Sequence, residues 1–316
     1  MANYNATGTT WNLPNYAGQL YSATPADTPF LNLIAGKAVK SDNYQFPTGV
    51  EYAIAPAAQP SISEEDSASA PQAISYGRSQ EYNVTQIFHE KISVNYTKLA
   101  SGGRLSGAIT LGGNGGETIL DELEFQTARA LEKIARDIEY TFINGVYQQS
   151  TSAATANRTR GILAAAGTVI SADSAALTAE LLGDAFKQAY DAGATFSDMV
   201  LICGAGIKQQ ITNIYSGQWG FSAPPTRSVG GSNIMQIETD LGLVSVLLSR
   251  FVPAGTLIGA DVSCIRPVEQ DVPGKGNFFR EQLAKTGAAE EHQIFGHIGL
   301  DHGPGWKHFV VSDILV

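Results

Sequence analysis

Charge is scarce in this chain of 316 residues: Asp, Glu, Lys and Arg make up 16% of it, and 30 acids against 20 bases leave a net charge of −10. A surface of that sign is a poor electrostatic match for a phosphate backbone, so tight, sequence-reading nucleic-acid binding is disfavoured. Cysteine is scarcer still. Cys203 and Cys264 each sit in an apolar run and read as small buried hydrophobes in a reducing compartment, not as a bridge. Nowhere do eighteen apolar residues follow one another, which excludes a helical membrane span. The opening Met-Ala-Asn-Tyr-Asn has neither a basic start nor an apolar stretch of signal-peptide length, so the chain is expected to be made and kept in solution. A hydrophobic fraction of 43% nonetheless provides for a sizeable core, in one large domain or two.

Catalytic and cofactor signatures are missing as well. There is no G-x-S-x-G, no H-E-x-x-H and no Walker-type lysine motif, and neither cysteine has a histidine near it in the sequence. Gly204-Ala205-Gly206 follows a strand pattern and opens a helix pattern, but Gln209 stands where the third glycine of a dinucleotide fingerprint belongs, so a plain strand-to-helix turn is expected. His292, His297, His302 and His308, with Asp301, form the most suggestive polar cluster. Their spacings of five and six share neither a helix face nor a strand face, so only a loop could gather them around a metal. The acidic triplet Glu64-Glu65-Asp66 lacks the glycine and spaced oxygens of a calcium loop and reads as a solvated tip. Arg158 and Arg160 could meet a phosphate or a carboxylate across a contact, or lie in a wet loop. No catalytic, cofactor-binding or metal residue is assigned, and no enzyme activity or cofactor is expected.

What the chain does have is pattern. Over residues 117–149 apolar residues recur at Ile119, Leu123, Leu131, Ile134, Ile138, Phe142 and Val146, mostly three or four apart, which is the period of one helix face. Glu117, Asp121, Glu122 and Glu124 crowd the first turns, where the positive end of the helix dipole favours carboxylates. Glu132 with Arg136, and Lys133 with Asp137, stand at i,i+4. At about 1.5 Å per residue such a helix is on the order of 45 Å long, enough to cross a molecule.

Before it, residues 1–36 scatter aromatics among prolines with almost no charge, and predict an arm that a neighbouring subunit covers. Tyr44, Phe46, Val50, Tyr52 and Ile54 alternate as a strand does, and so does a second run over 74–96; the polar stretch 56–71 between them predicts a projecting hairpin with a flexible tip. Beyond the long helix, Thr178 caps a helix that Gly193 stops, 199–203 is a short buried strand, and Ile207, Ile211 and Ile214 mark another helix. Asp240-Leu241-Gly242 predicts a hairpin turn, 257–258 and 262–265 short strands, and 293–300 and 308–311 strands around the turn 301–305. The fold class is α+β.

This order of parts resembles the tailed-phage major capsid protein family, the Hong Kong 97-type shell fold shared with encapsulins. The resemblance is carried by Asn83-Val84-Thr85-Gln86-Ile87-Phe88, the helix over 117–149, Arg160-Gly161-Ile162 after it, and the closing Gly299-Leu300-Asp301-His302-Gly303-Pro304. It implies an N-terminal arm over 1–36, an extended E-loop hairpin with its return strand over 37–100, and a peripheral domain over 101–177 built on the spine helix 117–149. An axial domain over 178–262 follows, and 263–316 is implied to return to the peripheral sheet. The chain begins at the arm, so any scaffolding segment would be a separate protein; no lysine lies between Lys40 and Lys91, so the hairpin cannot supply the family's lysine-to-asparagine crosslink.

The function implied is the major capsid protein of a tailed double-stranded DNA phage, self-assembling through hexameric and pentameric capsomers into an icosahedral shell in the host cytoplasm. The implied partners are itself, a portal, a separate scaffolding or decoration protein, and packaged DNA held without sequence preference, with no membrane. An encapsulin-like compartment shell is the alternative, followed by a metal- or nucleotide-using α/β enzyme. The residues argue the same way, because an aromatic arm and a lone hairpin leave apolar surface that copies of the chain must bury.

Overall fold

The computed structural model describes residues 27–52, 59–70, 77–97, 122–218 and 236–316. Its long helix, α3, spans Glu122–Asn144; the earlier residues of the expected helix, 117–121, lie outside the described residues. Leu131, Ile134, Ile138 and Phe142 are buried as the period requires, and α3 lies across two strands, β4 (Gln86–Asn95) and β12 (Ala289–Asp301). The expected end at 149 is corrected: the helix stops at Asn144, and Val146, assigned to the apolar stripe, is exposed. The cause is tertiary. Gly145 N–H closes the last turn on Thr141, while the Gly145 carbonyl accepts Gly161 N–H at 2.8 Å, and a Cβ on Gly161 would come within 2.8 Å of the Ile143 and Thr141 carbonyl oxygens. The chain is drawn off the helix axis by a segment sixteen residues further on.

β12 organises the first sheet. One of its edges pairs antiparallel with β4 from Ala289 to Ile298; the other pairs with β11 (Phe279–Gln282) near its start and β10 (Arg266–Gln270) near its end, and β10 carries the two-residue β1 (Val39–Lys40) beyond it. Phe88, Ile92 and Val94 of β4 and Ile294, Ile298 and Leu300 of β12 join the α3 stripe in one core, as alternation on a pleated strand dictates. Neither β10 nor β11 was expected from the sequence, and residues 262–265, expected as a strand, hold a 3-10 turn that the Asp261 side chain caps. The run 74–96 is two strands, not one: β3 (Arg78–Val84) pairs with β2 (Gln45–Tyr52), and β4 leaves for the other sheet after Thr85.

A six-stranded sheet follows the order β5 (Thr168–Ser171), β13 (Phe309–Ser312), β9 (Leu257–Asp261), β6 (Met199–Cys203), β8 (Gly242–Leu248), β7 (Gln236–Thr239). β6 is buried throughout because each face meets a core. Met199, Leu201 and Cys203 pack toward the helix side with Phe186, Phe196 and Phe309, whereas Val200 and Ile202 join the α3 core. Between α3 and this sheet lies α4 (Ile162–Ala165). The helices behave as expected: α5 (Ala179–Asp191) is capped by Thr178, whose side chain accepts Leu181 N–H, and stops at Gly193 with φ 102°; α6 (Ala205–Gln218) follows β6. β7 and β8 turn at Asp240-Leu241. After residue 263, β10, β11 and β12 lie in the first sheet, but β13 lies in the six-stranded one, so the last strand does not return to the sheet expected for it.

Candidate assembly interface

Two structures leave or enter the body at one place, the end of α3. The first is the β2/β3 hairpin. Arg78, Ser79 and Gln80 are exposed, Asn83 and Val84 are fully buried, and every described residue of the tip, 59–70, is exposed. The tip is solvated, as expected of the acidic triplet. It holds the single-turn α2 (Glu64–Ser67), capped by a reciprocal box in which Ser63 Oγ accepts Asp66 N–H and the Asp66 carboxylate accepts from Ser63.

At the root, Asn83 ties three segments together: its Oδ1 accepts Arg160 N–H at 2.8 Å, and its Nδ2 donates to the carbonyls of Leu300 at 2.7 Å and Arg160 at 3.1 Å. Thr159 Oγ1 accepts Leu300 N–H, and Gly299 lies so close to the Val84 carbonyl that a Cβ would sit 2.8 Å from it. The short matches around Asn83, Arg160 and Gly299 are thus one physical joint. Arg160 also reaches Glu81 of β3 at 3.1 Å and lies over the Tyr147 ring, so of the two arginines singled out it is the one that holds this joint, while Arg158 makes a backbone bridge with Gln148.

The second structure is α1 (Pro29–Ile34), with Phe30, Leu31 and Ile34 buried in the α3 core. Residues 29–34 therefore belong to their own subunit's core, which corrects the expectation that everything up to 36 is covered by a neighbour; residues 1–26 lie outside the described residues. Thr28 offers α1 no side-chain cap, and a carboxylate more than a hundred residues away does so instead. Glu139 of α3, fully buried, accepts Phe30 N–H at 3.1 Å, Leu31 N–H at 2.6 Å and the Ser249 hydroxyl at 3.2 Å. Burial pushes its pKa up to about 7 even though all three hydrogen bonds oppose the shift. The sequence does carry a signal for it: an acid one turn after Ala135 and one before Ile143, on the face the helix buries.

Most of the residues weighed for chemistry are held by structural contacts, although His302 Nε2 is buried without a hydrogen-bond partner among the described residues. His302 and His308 come together in the 301–308 turn, while His292 and His297 lie apart on β12. His308 Nε2–H donates to the His302 carbonyl at 2.6 Å and its Nδ1 accepts Asp261 N–H at 3.2 Å; His302 Nδ1 lies 2.7 Å from the Gly303 carbonyl. Burial lowers both histidines to about 4, so both rings are neutral at pH 7. Cys264 does have a histidine beside it, although none is near it in the sequence: Sγ is 3.9 Å from His308 Nε2. Burial pushes that thiol up to about 12, which removes it as a nucleophile. Asp301 is held by Arg266 at 2.8 Å and by Gly303 N–H. Among the described residues no group of three or more His, Cys, Asp or Glu is placed to hold a metal ion. At the Gly204 turn, a Cβ on Gly206 would collide with Val316 Cγ1, so Val316 packs against the start of α6.

A long helix laid on a sheet, a second sheet with helices on its outer side and a hairpin projecting from their junction define a Hong Kong 97-type shell protein. The sequence profile of the SU10 major capsid protein family matches residues 3–315, and the chain belongs to that family. It is a major capsid protein, a structural component of a virion shell.

Solved structures share the fold at low identity. The cyanophage A-1(L) capsid asymmetric unit matches with a TM-score of 0.61 at 12% identity, over 92% of this chain and 93% of that one. Mycobacterium phage Patience gives 0.55 at 10%, over 98% and 88%. The holo-SrpI encapsulin complex of Synechococcus elongatus PCC 7942 gives 0.58 at 11%, over 99% and 96%. A search of curated protein sequences finds no match. Among the described residues no helix is long and apolar enough to cross a membrane.

Proposed function

We propose that the protein builds the icosahedral shell of a tailed double-stranded DNA phage, assembling in the host cytoplasm through hexameric and pentameric capsomers around DNA held without sequence preference. The observation that carries this reading is the β2/β3 hairpin, buried at Asn83 and Val84 and exposed at Arg78, Ser79, Gln80 and the described tip residues 59–70. A lone two-stranded ribbon is marginal in water, and a second copy is what covers it. In this reading the hairpin within 37–100 is the E-loop, 1–26 the arm, 101–177 the peripheral domain, 178–262 the axial domain and 263–301 the return to the peripheral sheet. A portal and a separate scaffolding or decoration protein complete the particle.

Electron microscopy of the purified full-length protein tests the reading: closed shells, rings or tubes are expected, and a dispersed monomer at concentrations where the family assembles would overturn it. An encapsulin-like compartment is the second reading, favoured by the match to the holo-SrpI shell over nearly the whole of both chains. The contents decide between them, nucleic acid for the first and a protein cargo for the second.

A further inference from the structure

The outer face of α3 carries a row of cations. Arg129, Lys133 and Arg136 stand on it at i, i+4 and i+7, a stripe two turns long, and Arg250, just past the end of β8, joins the stripe by sharing Asp27 with Arg136 at 3.0 and 3.5 Å. Each cation has an acid partner, but the pairs are layered. The four cationic side chains are 45–78% exposed, whereas three of the partner carboxylates, Glu132, Glu90 and Asp27, are only 15–27% exposed beneath them. Asp137, at 4.0 Å from Lys133, is the one partner that reaches the surface as far as the cations do. The acids fix the bases and the bases face outward, so an approaching anion meets positive charge first, on a protein whose net charge is −10.

We infer that this ridge, Arg129, Lys133, Arg136 and Arg250, is the surface on which the chain meets the phosphate backbone of packaged DNA, which makes the α3 side of the subunit its inner face. The inference rests on the proposed shell function. The recessed acids keep each contact weak, and a shell multiplies it by the number of its subunits. No base-reading geometry is involved, so binding is independent of sequence.

The test is binding of the full-length protein, held as unassembled subunits so that the inner face is open, to a labelled random-sequence DNA duplex as salt is raised. Removing one cation that neutralises a phosphate should flatten the slope of log K against log salt by about 0.9. Arg250→Gln leaves Asp27 paired to Arg136 and so keeps the fold; it should flatten the slope by about that amount. Arg129→Gln/Lys133→Gln/Arg136→Gln/Arg250→Gln should abolish most of the salt dependence, and the four corresponding Lys or Arg exchanges should retain it. Lys187→Gln, exposed on α5 beyond the other sheet, should change nothing. A wild-type slope in folded Arg250→Gln and Lys133→Gln, or an equal loss in Lys187→Gln, overturns the inference. If the wild-type protein forms shells under assembly conditions yet its unassembled subunits bind no duplex at low salt, the ridge is refuted and the shell reading stands; if it forms no assemblies, the shell reading itself fails and the ridge inference with it.

Discussion

Glu139 is the residue whose removal is easiest to predict, because its three partners are all donors. Glu139→Ala strands two backbone N–H groups and a hydroxyl in a dry core, at about 1–3 kcal/mol for each one left unpaired, and should lower the melting temperature by many degrees. Its pKa is raised, from 4.5 to about 7, so the folded state binds the proton more tightly than the unfolded one. Stability from this group is therefore full below pH 4.5 and lost as pH rises through 7. His302 and His308 work in the opposite sense. Lowered to about 4 by burial, they contribute stability above pH 6.5 that is lost as pH falls toward 4. The two trends oppose one another over the same window, so wild-type melting curves alone conceal both. Glu139→Gln should separate them: its stability should rise more steeply with pH between 4.5 and 7 than that of the wild type, and parallel curves would show that Glu139 does not titrate there.

At the scale of elements, the joint of hairpin, α3 and closing turn makes the sharpest prediction. Asn83 donates to two carbonyls and accepts one N–H from Arg160, a pattern only an amide meets. Asn83→Asp places a carboxylate against the Leu300 carbonyl and should destabilise more than Asn83→Ala, which should itself cost about 2–4 kcal/mol; denaturant midpoints check the order. Ser63→Ala, by contrast, removes the cap of an exposed single turn, and should speed amide exchange at 64–67 while leaving the global midpoint in place.

This joint also marks where the sequence stops being legible. α5 and β6 were legible because their signals are local: a Thr cap, a Gly stop, a five-residue apolar run. The α3 stripe was legible up to Phe142. Its end was not, because it depends on Gly145 meeting Gly161, and neither were β10, where Pro267 and the buried Glu269 break any alternation, nor β11, which is strand only by virtue of its partner β12. Asn83, Arg160 and Gly299 could be recognised as matches, but their hydrogen bonding to one another could not be read from spacing. Glu139 broke the apolar face in plain view, and its meaning depended on where α1 goes.

For the whole molecule, the question is how much of the first 36 residues belongs to the subunit and how much to the shell. Phe30, Leu31 and Ile34 are fully buried against α3, and Glu139 is satisfied only while α1 is docked. Deleting residues 1–36 should therefore remove three core side chains, at about 2–5 kcal/mol each for the larger ones, and leave a buried carboxylate with two of its donors gone. That exceeds the margin of an ordinary domain, so the product should be unfolded or insoluble, and its failure to assemble would say nothing about an arm. Deleting only residues 1–26 keeps α1 and the Asp27 ion pairs with Arg136 and Arg250. If the arm completes a neighbour, this shorter deletion should melt like the full chain in dilute solution and yet give few or no closed particles by electron microscopy and sedimentation. Normal shells from it would place every interaction that assembly needs after residue 26, with the hairpin as the first element to test next.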